Sequence, residues 1–227
     1  MLNNSMAEPL YDQPEVILKL DRNQIPAGEL LTGSFFIWPD LVGRTDTAIT
    51  IEFVMKAQVK DEVVEQKIEE LQSELPIVSD DGSVQYHFSY RLPNWLTVST
   101  HAVRYYLKPH FELKTPWLDF DGHLNGMEAI IVKPNRVQAH LIDLLSQLGF
   151  QEKLDSRFWD GNYQEFDFVA GKSAQTDVKE LTIWFQPLEQ TTRVHLYRTK
   201  HDPVSFDLQS HQEQDAVDLL RKYLHLE

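Results

Sequence analysis

From Glu15 to about Lys133 apolar and polar residues alternate. In the run 48–59, Ile49, Ile51, Phe53, Met55, Ala57 and Val59 share one phase. Thr50, Glu52, Lys56 and Gln58 share the other, and Val54 is the exception. In the run 84–92, Val84, Tyr86, Phe88, Tyr90 and Leu92 alternate with Gln85, His87, Ser89 and Arg91. A period of two belongs to strands with one buried and one wet face. Further strands are expected at 15–21, 31–38, 101–114 and 127–132. Pro26-Ala27-Gly28, Pro39-Asp40, Asp80-Asp81-Gly82, Pro93-Asn94 and Asp121-Gly122 supply the turns between them. Strands at this spacing predict an antiparallel β-sandwich over 15–134. The segment 62–75 runs against the pattern. Its Val64, Ile68, Leu71 and Leu75 fall at helical spacing among many glutamates, which favours a helix. Its all-β neighbourhood favours pairing, so a strand is expected there.

Near Pro134 the period changes. Val137, Leu141, Leu144, Leu145 and Leu148 form the stripe of an amphipathic helix. Asn135 is placed as its N-cap with Gln138 three residues on, and Gly149 as its C-cap. Short strands follow near 151–158, 162–169, 178–186 and 192–199. A last helix spans about 211–225, with Ser210 and Glu213 at capping-box spacing and Val217, Leu220 and Leu224 as its stripe. Helix, about four strands and helix make a small α+β unit over 135–227. Residues 1–14, polar and carrying Pro9 and Pro14, read as a mobile tail. The whole is mainly β, with no internal repeat and no low-complexity linker at the Lys133-Pro134-Asn135 join.

Composition narrows the function. Lys and Arg number 21 against 35 Asp and Glu, a formal net charge of −14. A nucleic-acid binder needs a basic face, and so does a protein docking on anionic lipid. The absence of cysteine excludes disulfides, thiolate metal sites and thiol nucleophiles. The first residues hold neither a basic stretch nor an apolar one, and no apolar run approaches membrane-spanning length. No membrane insertion and a cytoplasmic location are expected.

Candidate chemistry is sparse. Gly171-Lys172-Ser173 lacks the P-loop glycine five positions earlier, where Phe166 stands, so a polar hairpin loop is expected. Asp119, Asp121 and Asn125 lack the glycine and glutamate of a calcium loop; Leu124 and Ile130 occupy those places, and a turn between strands is the better account. His123 has no second histidine at ligand spacing, and no metal or cofactor is expected. Glu165 and Asp167, with Tyr163 on the same face, are the carboxylate pair of an alternative site. Backed by Trp159 and Trp184, they would suit a carbohydrate-binding module or a glycoside hydrolase. Against that stands an ordinary wet strand face with Phe166 and Phe168 turned inward.

The strand 103–114 carries the other candidate. Arg104, Tyr106, Lys108, His110 and Lys114 share one phase, interrupted by Glu112, and Tyr105, Leu107, Phe111 and Leu113 share the other. Pro109 lacks an N–H and marks an edge or bulged strand, which would accept another chain by strand addition. The basic stripe is thus a protein-binding candidate for an acidic partner. The competing account is a wet face that neutralises the acidic 61–75 segment within the same chain.

The order of several short motifs resembles a known family. Leu20 to Ile37 reads LDRNQIPAGELLTGSFFI and resembles the arrestin-type opening, with Pro26, Gly28 and Gly33 at its turn and second strand. Phe88 to Ser99, FSYRLPNWLTVS, resembles the arrestin-like strand ending in Leu-Pro before a loop. Leu144 to Phe150 reads LLSQLGF, Gln164 to Phe168 reads QEFDF and Leu181 to Phe185 reads LTIWF. These are similar to segments of the bacterial arrestin-like sporulation-control family. Asp119-Phe120-Asp121-Gly122 departs from that pattern, where relatives carry a proline-containing turn. The resemblance implies an arrestin-like (immunoglobulin-like) sandwich plus an α+β domain, and it too favours a strand at 62–75. It also implies a non-catalytic regulator or scaffold that binds proteins. Exposed strand edges would further permit a homodimer.

Overall fold

A computed structural model describes residues 16–37, 47–72, 77–78, 84–114, 119–123, 127–174, 176–188, 191–199, 202–209 and 213–224. The expected tail at 1–14, the turns at 39–40 and 80–82, Leu75 and the Ser210 cap lie outside those residues.

The alternating first half folds into two sheets. One has the order β1 (Val16–Leu20), β3 (Leu30–Ile37), β7 (Val84–Arg91), β6 (Ile77–Val78). The other runs β2 (Gln24–Pro26), β10 (Glu128–Lys133), β8 (Val103–Lys114), β4 (Thr47–Val59), β5 (Glu62–Gln72), with β9 (Asp119–His123) also on β8. All of these pairs are antiparallel except β10 with β2. Leu18, Leu31, Phe35 and Phe88 from the first sheet meet Ile51, Phe53, Tyr105 and Leu107 from the second in one core. Each such side chain contributes about 1.5–3 kcal/mol by leaving water. Two glycines explain themselves. Gly28 sits at φ +86°, which only a residue without Cβ adopts freely. At Gly33 a Cβ would stand 2.7 Å from the Lys19 carbonyl oxygen and 2.8 Å from the Phe88 ring.

The ambiguous segment is a strand, β5, paired along β4. Phe53 faces Glu69 while Val54 faces Lys67, so Ile68 is an extra residue and the phase flips there. Val54, the exception in its own strand, is 2% exposed but lies outside the core cluster. The register sets it between Tyr106 and Lys67 on the outer face.

Two expectations are corrected here. Asp119–His123 is no turn, because it forms β9 against His110–Lys114. Nor is β8 an edge. It pairs with β4 on one flank and with β10 and then β9 on the other. Pro109 falls between the rungs Leu107–Glu128 and His110–His123, where the register shifts by two residues, and stands opposite Ile51 on its β4 flank. Strand addition at β8 is therefore blocked by its own neighbours.

The second half opens with α1 (Arg136–Gln147), closed by the expected capping box. The Asn135 side chain accepts from the Gln138 amide at 3.0 Å and the Gln138 side chain from the Asn135 amide at 2.9 Å. Gly149, at φ +88°, ends the helix. A third sheet follows in the order β11 (Phe150–Glu152), β13 (Gln164–Ala170), β14 (Glu180–Pro187), β15 (Thr192–Arg198), β16 (Val204–Leu208), with β12 (Phe158–Trp159) also on β13. The expected four strands omit β16. α2 (Glu213–Leu224) returns over the sheet. Leu141, Leu145, Ala216, Leu220 and Leu224 of the helices pack with Phe166, Phe168, Ile183 and Leu196 in a second core.

The two cores meet at a polar joint. The Gln164 amide accepts from Val98 N at 2.7 Å and donates to Val98 O at 2.9 Å and Arg157 O at 3.0 Å. It pairs with Val98 as a neighbouring strand would. Val98 itself belongs to the second core, and Trp159 packs against the first.

Candidate functional site

Both helices cover one face of the third sheet, and the alternate residues form its other face. Register brings a row together across five strands: Phe158 opposite Glu165, Glu165 opposite Trp184, Trp184 opposite His195 and His195 opposite Ser205. Directly opposed side chains share a face at about 4.5–5.5 Å between Cβ atoms. The Trp184 and His195 rings stack with centroids 3.5 Å apart and planes within 4°. Tyr163 lies against Trp184 at 4.4 Å, tilted 47°. His195 is held from both ring nitrogens, Nδ1 to Ser205 Oγ at 2.7 Å and Nε2 to Gln186 Oε1 at 3.4 Å. Burial and the nearby Arg193 lower its pKa, so at neutral pH it stacks as the neutral ring.

This row stays open to water. Phe158 is 55% exposed and Tyr163 47%, and Tyr197, opposite Thr182 on the same face, is 41% exposed. Scattered apolar residues on a surface mean little, but a contiguous set rimmed by polar groups marks an interaction site. Three carboxylates border it. Asp160 accepts from the amides of Asn162 and Tyr163 at 2.7 and 2.8 Å, which holds its carboxyl low. Asp167 accepts from Thr182 Oγ1 at 2.5 Å. Glu165 has neither aid. Partial burial raises its pKa, and the charges of Asp167 and Asp160 raise it further.

The alternative pair Glu165 and Asp167 thus shares a face as expected, and Phe166 and Phe168 point inward. Trp159 does not join them, because it packs towards the first core. The sequence reading missed Phe158, Asp160, His195 and Tyr197. The alternation of 192–198 carries the phase of His195 and Tyr197, but only the cross-strand register shows what they face.

The basic stripe on β8 lies elsewhere. Arg104 is exposed, and Tyr106 and His110 are intermediate. The Lys108 side chain is 17% exposed and is bound by Glu65 of β5, across the intervening β4. Lys56 reaches the same glutamate at 3.1 Å and lies 5.7 Å over the Tyr106 ring. Those two lysines, Lys108 foremost, hold the Glu65 carboxyl below its usual range. Lys67 does the same for Glu70, with a smaller pull from His110. The acidic β5 thus meets the charge of Lys108 within the sheet. Lys114 pairs through its backbone with Asp119, and its side chain lies outside the described residues.

A cleft of about 350 Å³ is lined by Pro26–Glu29, Asn94, Asn135–Val137, Thr191, Thr192 and Leu208. Its charged side chains are Glu29, bonded to Arg22 at 2.9 Å, and Arg136. Among the described residues no group of three or more histidines or carboxylates is placed to hold a metal ion. No helix among them is long and apolar enough to cross a membrane.

Comparison with known proteins places this geometry in context. The family model described as SpoOM protein matches residues 11–202. The crystal structure of Spo0M, sporulation control protein, from Bacillus subtilis aligns with a TM-score of 0.63 at 14% identity. It covers 93% of this chain and 98% of that one. The Escherichia coli adhesin FdeC covers 86% of this chain and 65% of its own at 6% identity. Its TM-score of 0.25 carries no argument. No curated protein matches the chain.

Proposed function

We propose that this chain, which belongs to the SpoOM protein family, acts as a non-catalytic regulator or scaffold that binds other proteins through the open face of its third sheet. The solved Spo0M fold that it shares is named for sporulation control, and the regulatory part of the proposal follows from that. The binding part rests on one observation, the row of half-exposed aromatic side chains left uncovered opposite the two helices. Rigid aromatic rings supply large contact area at little entropic cost, and interfaces are enriched in them. The proposal includes an arrestin-like character for the sandwich and a cytoplasmic location, where net negative charge aids solubility.

The test is affinity capture from native cytosol with mass-spectrometric identification, comparing the wild type with Tyr163→Ala. Tyr163 is half-exposed, so its truncation leaves the melting temperature within about 2 °C. Loss of a captured partner supports the reading, and an unchanged set of captured proteins refutes it. Charge reversal at Arg104 and Lys108 tests the β8 stripe in the same way. It is the weaker surface, because Glu65 already occupies Lys108.

A second reading draws on the same aromatics: sugar binding or glycoside hydrolysis at Glu165 and Asp167. Residues two apart on a strand have Cα atoms roughly 6.5–7 Å apart, within reach of either glycosidase geometry. The geometry weighs against it, since both carboxylates stand on a sheet face without walls and Thr182 engages Asp167. Oligosaccharide-dependent stabilisation, lost in Glu165→Gln, would establish it.

A further inference from the structure

We propose that the open face of the third sheet receives a basic, extended segment of a protein partner, with an arginine head paired to Glu165 between Phe158 and Trp184. The inference rests on the protein-binding reading and names the chemistry of its partner. Three observations carry it.

First, Glu165 stands between two rings on adjacent strands, opposite Phe158 on β12 and opposite Trp184 on β14. A flat cation bound to its carboxylate lies over an aromatic surface on either side, and guanidinium suits both contacts. Second, the negative charge around it is not met from within. The Glu165 carboxylate makes no hydrogen bond or ion pair among the described residues, and Asp160 and Asp167 are spanned by amides and a hydroxyl, not by cations. Burial raises the pKa of Glu165 and their repulsion raises it further, and an incoming cation relieves the repulsion. Third, the nearby arginines are taken. Asp207 holds Arg193 at 2.7 and 3.0 Å, and Glu152 holds Arg157 at the same two distances. The aromatic surface is preset as well. His195 is hydrogen-bonded at both nitrogens and stacks flat on Trp184, so the indole plane is fixed before any partner arrives.

The test is calorimetric titration of the full chain with an acetylated nine-residue peptide alternating serine with arginine. A second peptide carries citrulline in place of arginine, with the same shape and no charge. The arginine peptide is expected to bind, to weaken as salt rises from about 50 to 300 mM, and to lose about tenfold or more in affinity to Glu165→Gln. Equal binding of the citrulline peptide, or unchanged binding to Glu165→Gln, overturns the inference. Binding of cellohexaose in place of the peptide overturns it too and assigns the face to sugars. Far-ultraviolet circular dichroism of Glu165→Gln, expected to match the wild type, separates lost contact from lost fold. Partner capture separates the two proposals. If Tyr163→Ala loses the captured partner and Glu165→Gln keeps it, the protein-binding reading stands and the arginine seat falls. If neither changes capture, both fall.

Discussion

Replacing Gln164 by methionine tests the joint between the two cores. The side chain keeps its length and volume, so no cavity opens and the effect isolates hydrogen bonding. Three bonds disappear, at 2.7, 2.9 and 3.0 Å. Val98 is 1% exposed, so its N–H and C=O are left without water or partner. Each orphaned group costs about 1–3 kcal/mol. The Arg157 carbonyl, in a partly exposed turn, recovers solvent and adds little. The sum is about 2–6 kcal/mol. With a urea slope near 2–3 kcal/mol/M for a chain of this size, the midpoint falls by about 1–2 M. Urea unfolding followed by tryptophan fluorescence and circular dichroism measures it. Gln164→Glu is expected to fare worse at neutral pH, because a carboxylate then faces the Val98 and Arg157 carbonyls. A Gln164→Met midpoint within about 0.2 M of the wild type would refute the clamp.

Asn135→Ala removes the cap of α1 and its 3.3 Å bond to the Asn94 carbonyl, and is expected to cost about 1–2 kcal/mol in the same assay. Gly33→Ala drives a Cβ into the Lys19 carbonyl and the Phe88 ring, and β1 must shift from β3 at about 1–3 kcal/mol, read as a lower melting temperature. Glu165→Gln acts in the opposite sense. A carboxyl whose pKa is raised on folding penalises the native state when ionised, so the variant melts higher at pH 7. Solvent screening limits the gain to about 1 °C. The difference shrinks as pH falls through the raised value, and differential scanning fluorimetry from pH 7 to 4 follows it.

The strands of the sandwich were legible because their two faces differ. Ile51, Phe53, Met55 and Ala57 face the core, and the residues between them, Val54 apart, face water. β5 was expected as a strand, and its helix-like spacing has a definite reason. The extra residue at Ile68 stretches the inward series from 64, 66, 68 to 64, 66, then 69, 71. The unpaired Ile68 packs against the core as well, so that with Val64 and Leu71 it takes the offsets of a helix stripe. β16 left no signal, since of Val204–Leu208 only Leu208 is buried. Pro109 was read as the mark of an edge or bulged strand; β8 is no edge, and its register on one flank shifts by two residues across Pro109. Phe158 and His195 escaped notice because they join Glu165 and Trp184 only through the register of four strands.

Pro109 has one more consequence. Between the β10 rung Leu107–Glu128 and the β9 rung His110–His123 the register moves by two residues, and Pro109 stands at that step. On its β4 flank the same strand runs on unbroken, with Pro109 opposite Ile51. One strand thus serves as a continuous rail for β4 and as a junction between two partners on its other side.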